Sequence, residues 1–311
     1  MGKETMDLAA DDAVEAILRG GLAREARALT AVVPVLRHLL GTEAQGLVSE
    51  AILARVRGMI LDIAAQLLAA QAGRDPAARV PGGDPAALDA LAEGLMGEEA
   101  LLAHCHALAT ESLLADRLQQ RHAIDPVLSP LLQELIAAED PAVAALAMAT
   151  LAAQSRFVQS QRRMELALGE LPAELFHALL ARVPGGTGDG AGLARLQAGY
   201  DEATSRLGLL ARLVAAMRRG AVAALALEHA GLALFAAAIA SETRCPRGEA
   251  VLACQEGQGV RLALLLRAAG LAVPAIERQM VLAEPAAQLP SAIGALTPAR
   301  AAALLGAGRL A

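Results

Sequence analysis

Residues 137–154 read AAEDPAVAALAMATLAAQ. Asp140 before Pro141 is a helix start. The aspartate carboxylate accepts amide protons that the first turn leaves unpaired, and proline at the first helical position gives up no hydrogen bond. The ladder that follows is dominated by alanine, the strongest helix former. The stretch predicts a helix over 141–168, entered through an acidic turn.

The same device recurs along the chain. Asp75-Pro76, Asp84-Pro85 and Asp125-Pro126 precede it, and Thr297-Pro298 repeats it near the C-terminus. The pairs at 84, 125 and 140 are expected to open helices. Gly270, after LLLRAA, reads as a helix C-cap. Apolar spacing supports further helices. Ile52, Val56, Met59, Ile60, Ile63 and Leu67 form one stripe, with Arg55, Asp62 and Gln66 off it. Leu207, Leu210, Val214 and Met217 form another. The pattern predicts helices over 8–19, 22–40, 43–71, 85–96, 98–121, 126–138, 141–168, 172–182, 191–218, 220–242, 247–256, 258–269, 272–282 and 298–306.

Composition fixes the class. Of 311 residues, 55% are hydrophobic but only 1% aromatic, namely Phe157, Phe176, Tyr200 and Phe235. A core of Leu, Ala, Val and Met favours helix on helix; the β-branched and aromatic residues that strands favour are scarce. The expectation is all-α. Units beginning near 84, 125, 171 and 220 recur at about 40–50 residues, the period of HEAT-like helical hairpins. The units align poorly with one another, so the reading is a degenerate HEAT-like array.

The motif ARVPGG stands at 78–83 and again at 181–186. Pro-Gly-Gly breaks a helix both times. The lysine of a phosphate-binding loop is missing, and no strand precedes either copy. Both are expected to be inter-helix loops, dividing the chain into 1–80, 81–187 and 188–311.

Net charge is −6, from 27 basic and 33 acidic residues. That offers no broad electrostatic footprint for nucleic acid. The cysteines, Cys105, Cys245 and Cys254, form no CxxC and fit a reducing, cytoplasmic setting. The N-terminus MGKETMDLAADD lacks the basic region of a signal peptide. The best membrane-span candidate, 221–240, carries Glu228 and His229 near its middle, which favours a buried helix over a span.

Candidate sites are few. His104 and His106 lie about 200° apart on a helix and cannot share a metal ion. Glu174 and His177 form a lone ExxH unit, whereas a di-iron bundle needs two. No catalytic motif appears, so no catalytic residue, metal or cofactor is expected. The unusual stretch is QSRFVQSQRR (154–163), polar at eight of its ten positions in a hydrophobic chain. As a helix it puts Arg156, Gln159, Ser160 and Arg163 on one face, suited to carboxylate or phosphate. Those residues are the candidate partner-binding face. Glu228 and His229, inside the most apolar stretch, are the candidate polar pocket.

The segments LAAQSRFVQSQRRMELALGELPAELFHALL (151–180), HAGLALFAAAIA (229–240) and RGEAVLACQEGQGVRLALLLRAAGL (247–271) carry a resemblance. They resemble an uncharacterised bacterial family, a domain of unknown function. The resemblance spans roughly residues 85–285 and implies an all-helical, HEAT-like architecture in a bacterial cytoplasm. It implies no activity, cofactor or catalytic residue.

Three functional readings follow. A scaffold for a protein partner calls for a shallow polar groove at 154–163. A sensor of a small apolar ligand calls for an enclosed pocket near 221–240. An enzyme calls for converging titratable groups such as Glu174, His177 and Glu228.

Overall fold

A computed structural model describes residues 2–41, 49–76, 84–183, 191–284 and 288–307. Among them there are helices and no strand. In chain order these are α1 (Gly2–Gly41), α2 (Glu50–Gln71), α3 (Pro85–Met96), α4 (Glu99–His122), α5 (Pro130–Ile136), α6 (Pro141–Arg162), α7 (Ala173–Arg182), α8 (Ala191–Ala198), α9 (Arg206–Met217), α10 (Leu227–Thr243), α11 (Arg247–Ala253), α12 (Gly259–Ala268), α13 (Val273–Ala283) and α14 (Pro298–Ala307). The first ARVPGG copy and the Pro-Gly-Gly of the second lie outside the described residues.

The expected starts at 84 and 140 are present. Asp84 accepts from the Ala86 amide at 3.0 Å and Asp140 from the Ala142 amide at 2.9 Å. Thr297 caps α14 through the Arg300 amide. Asp125-Pro126 is a correction. Asp125 accepts from the Val127 and Leu128 amides in a tight turn, and the helix begins four residues on, with Ser129 as cap and Pro130 as its first residue. Both Asp and Ser stabilise caps and local turns, so proximity to proline alone does not decide between them. Three other expectations are revised. α1 runs through Gly20 and Gly21 as one helix with Pro34 inside it. The helix expected over 191–218 is two, α8 and α9, with a 3₁₀ turn at Glu202–Thr204 between them. The stretch 220–242 begins as a 3₁₀ segment, Arg218–Leu225, before α10.

The chain divides into two compact units. One comprises 1–32, 113–138 and 214–311, the other 33–112 and 139–213. These units do not coincide with the three regions read from the sequence.

In the first unit α10 is the hub. It packs against α5, α11, α12, α13 and the 3₁₀ segment before it. Gly231 interrupts α10 at φ 69°, ψ 162°. A Cβ there would meet the Ser129 Cβ at 3.2 Å, so glycine is needed both for the left-handed backbone and for the space. Two acidic residues of α1 hold the unit's C-terminal helices. Glu15 takes two hydrogen bonds from the Arg300 guanidinium. Glu25 accepts from the Val260 and Arg261 amides at 2.8 and 2.6 Å, capping α12 with a carboxylate. Burial pushes the Glu25 carboxyl above its usual range despite those bonds.

The second unit is built on the α2 stripe. Val56, Met59, Ile60, Ile63 and Leu67 are sealed from solvent against Leu95 of α3, Leu101, Leu102, Cys105 and Leu108 of α4, and Phe176 and Leu179 of α7. Each such side chain contributes about 1.5–3 kcal/mol of burial. The polar residues off the stripe have a different use. Asp62 accepts from the Leu166 amide at 2.9 Å. Gln66 donates to the Leu166 carbonyl and accepts from the Leu168 amide, at 2.9 and 3.0 Å. The segment that follows α6 is thus stitched to α2.

Candidate functional site

The site grows from the end of α6. Arg162 is its last helical residue, and the Glu165 amide returns to the Ser160 carbonyl at 2.9 Å while the Met164 amide returns to Gln161. This is a Schellman closure. Its left-handed position, ordinarily glycine, is Met164 at φ 58°. Gly58 of α2 lies against it. A Cβ built at Gly58 would fall 2.5 Å from the Met164 Cβ and 2.8 Å from its carbonyl oxygen. The exit of the chain from α6 is fixed by that close approach.

The exit opens a cleft of about 220 Å³ lined by Arg156, Phe157, Gln159, Ser160, Gln161, Arg163, Glu165, Leu166, Glu170 and Arg206, with Leu108, Ala167 and Leu207. All of these belong to the second unit. Every residue of the partner-binding face read from the sequence is here. Arg156, Gln159 and Arg163 are exposed and Ser160 is half-buried. Arg163 pairs with Glu165 at 2.7 Å. Arg156 has no ion-pair partner among the described residues.

The floor is a sealed polar network. Arg206, 2% exposed, pairs with Glu111, 1% exposed, and its Nε donates to Gln154 Oε1 at 2.7 Å. Its guanidinium carbon sits 3.6 Å from the centre of the Phe157 ring. The Arg206 amide donates to Glu170 at 2.7 Å. With its guanidinium held by Gln154 and Glu111 and one face stacked on Phe157, Arg206 supports the cleft from below. Gln161 is different. It is 1% exposed, its Nε2 donates only to the Met59 sulfur at 3.3 Å, and its Oε1 has no partner.

The other candidates are placed elsewhere. The Arg278 guanidinium donates a hydrogen bond to Glu228 and pairs with it, and His229 Nε2 lies 3.4 Å from Glu134, so each has an exposed, charged neighbour. The small apolar void beside α10, lined by Leu227, Leu232, Leu114 and Cys254, has a volume of about 10 Å³, room for a single water at most. His177 meets Phe176 and Tyr200 edge-on, at ring separations of 5.3 and 5.7 Å. Tyr200 stacks on Phe176 and donates to the Leu171 carbonyl. His106 is buried in α4, which holds its imidazole down at about 4 and therefore neutral. Burial raises the neighbouring Cys105 thiol to about 12. Among the described residues no group of His, Cys, Asp and Glu is arranged to hold a metal ion.

Sequence reasoning missed Arg206, Glu111, Gln161 and Gly58. A signal for two of them existed. Arg206 falls on the same helical face as Leu210, Leu213 and Val214, and Glu111 on that of Leu108, Leu114 and Leu118, so each charge interrupts an apolar stripe. Charges placed that way are buried and paired. No known protein family, curated protein or solved structure matches the chain.

Proposed function

We propose that this chain is a non-enzymatic helical scaffold that captures a protein partner at the end of α6. The observation that carries the reading is the gathering of Arg156, Gln159, Ser160 and Arg163 at one open cleft, with Arg156 left unpaired. A rigid polar floor beneath an exposed cationic rim suits recognition by contact. The buried Arg206–Glu111 pair gives the rim a fixed geometry, which is the better-attested use of a buried ion pair than stability.

A HEAT-like stacking of hairpins is part of the proposal. Consecutive pairs α2–α3, α10–α11, α11–α12 and α12–α13 pack side by side, as stacked hairpins do. The bonds from Asp62 and Gln66 to residues some hundred positions away go beyond nearest-neighbour stacking. Three buried cysteines, none of them in a disulfide, fit a reducing, cytoplasmic setting.

The test is site-specific photocrosslinking in the native host. A benzophenone amino acid replaces Gln159, and in a control replaces the exposed Glu256 of the other unit. A protein adduct formed from 159, absent from 256 and lost with Arg156→Glu supports the docking site. Identical adduct patterns from both positions reject it.

A further inference from the structure

α6 is amphipathic in an unusual sense. Ala145, Met148, Ala149 and Ala152 face solvent in helical register, and the same stripe continues into Arg156 and Gln159. Met148 is 51% exposed. Among the described residues α6 is also the one helix long and apolar enough to cross a membrane, with a mean hydropathy of 1.2 over its best window, of which 22% is buried. The exposed face of this helix, which ends in Arg156, Arg162 and Arg163, has two parts: an apolar stripe from Ala145 to Ala152, about 10 Å long, and the arginine end. One part is apolar and shallow, because alanine side chains let another helix approach closely. The other is cationic and sits over a cleft.

Resting on the docking reading above, we infer that the partner segment is an amphipathic helix with an acidic end. Its apolar face lies along the α6 alanines, and a carboxylate at its end enters the cleft beside Arg156. Charge complementarity selects the occupant. The C-terminus of α6 alone repels an anion, but the arginines at 156, 162 and 163 reverse that field, and only Arg163 is already neutralised by a neighbour, Glu165. Two separate features mark the cleft as the seat of that carboxylate. Its volume of about 220 Å³ leaves ample room for a carboxylate-bearing side chain. Gln161, almost fully buried in its wall, has a carboxamide oxygen with no partner and a single weak bond to sulfur. A rotated Gln161 amide gives its N–H to the incoming carboxylate while Arg156 supplies the charge. Glu165 and Glu170 also line the cleft and oppose an anion there, so the carboxylate depends on Arg156 for its hold.

The experiment uses the full chain and two fluorescein-labelled Leu/Ala helices of about 18 residues, alike except for a Glu-Glu or a Gln-Gln pair at one end, read by anisotropy. The Glu peptide is expected to bind about tenfold more tightly than the Gln peptide, with affinity falling as salt rises. Arg156→Glu should abolish the preference, and a Lys-Lys peptide should bind that variant in its place. Arg156 is exposed, so an unchanged melting temperature accompanies these shifts. Equal affinity for the Glu and Gln peptides overturns the inference, as does indifference to Arg156→Glu. Partition of the chain into phosphatidylcholine vesicles, abolished by Met148→Asp, also overturns it and assigns the alanine face to lipid. If Gln159 still crosslinks a host protein when the peptides fail, the scaffold survives and only the acidic helix is lost.

Discussion

Arg206 lies with its guanidinium carbon 3.6 Å above the Phe157 ring while its side-chain nitrogens donate to Gln154 and Glu111. Because both charges are buried, they are worth more as a pair than either is alone. Glu111→Ala leaves an unpaired cation in the core and should cost about 3–5 kcal/mol. The double replacement Arg206→Met with Glu111→Leu should recover most of that stability while loosening the cleft. Thermal unfolding of the unaltered chain and the two variants decides it; an unchanged melting point for Glu111→Ala overturns a stabilising role for the pair.

Met164 occupies a left-handed position that costs a non-glycine residue on the order of 1–3 kcal/mol, and Gly58 is the residue that lets it fit. Met164→Gly should therefore stabilise the chain by up to about 1 kcal/mol. Gly58→Ala should destabilise it, and should be rescued only in part by Met164→Gly, since the carbonyl of residue 164 still lies in the way. Denaturant midpoints of the two single variants and the double test this directly.

His106 titrates near 4 when folded and near 6.5 when unfolded. The unfolded chain binds the extra proton between those values, so stability is complete above 6.5 and is lost as pH falls through that window. The full loss is about 3 kcal/mol. Glu25 acts in the opposite sense, since its raised carboxyl favours the folded state most below the ordinary carboxylate pKa. His106→Leu should flatten the profile between pH 7 and pH 5, as followed by the urea midpoint at each pH.

All three cysteines are buried and none is in a disulfide, and burial pushes the Cys105 thiol up to about 12. A disulfide-exchange reagent should titrate almost no thiol in the native chain and all of them in denaturant, because the thiolate is the reactive form. Rapid modification of the folded protein would place a cysteine at the surface, against the packing described.

The helical class was legible because Ala and Leu leave few alternatives, and the α2 stripe was legible because period and burial agree along its whole length. The Arg156–Arg163 face was legible as a polar interruption of an apolar chain. What escaped was set by distant residues. Nothing near Gly58 announces that Met164 will arrive a hundred positions later, and nothing near Asp125 says that Ser129, not Asp125, will cap α5. Glu228 and His229 looked stranded because their partners lie 50 and 95 positions away in the sequence. Folding brings their side chains to Arg278 and Glu134.

That break has an evolutionary corollary. A position that demands a left-handed backbone, as Gly231 does, or that meets another segment's backbone too closely for a methyl group, as Gly58 does, resists drift, while the Leu and Ala around it can exchange freely. Gly231, together with Gly58, should therefore persist as an invariant landmark in distant kin whose remaining letters have been reshuffled, and a glycine pair at that spacing is a surer guide to shared ancestry than overall identity.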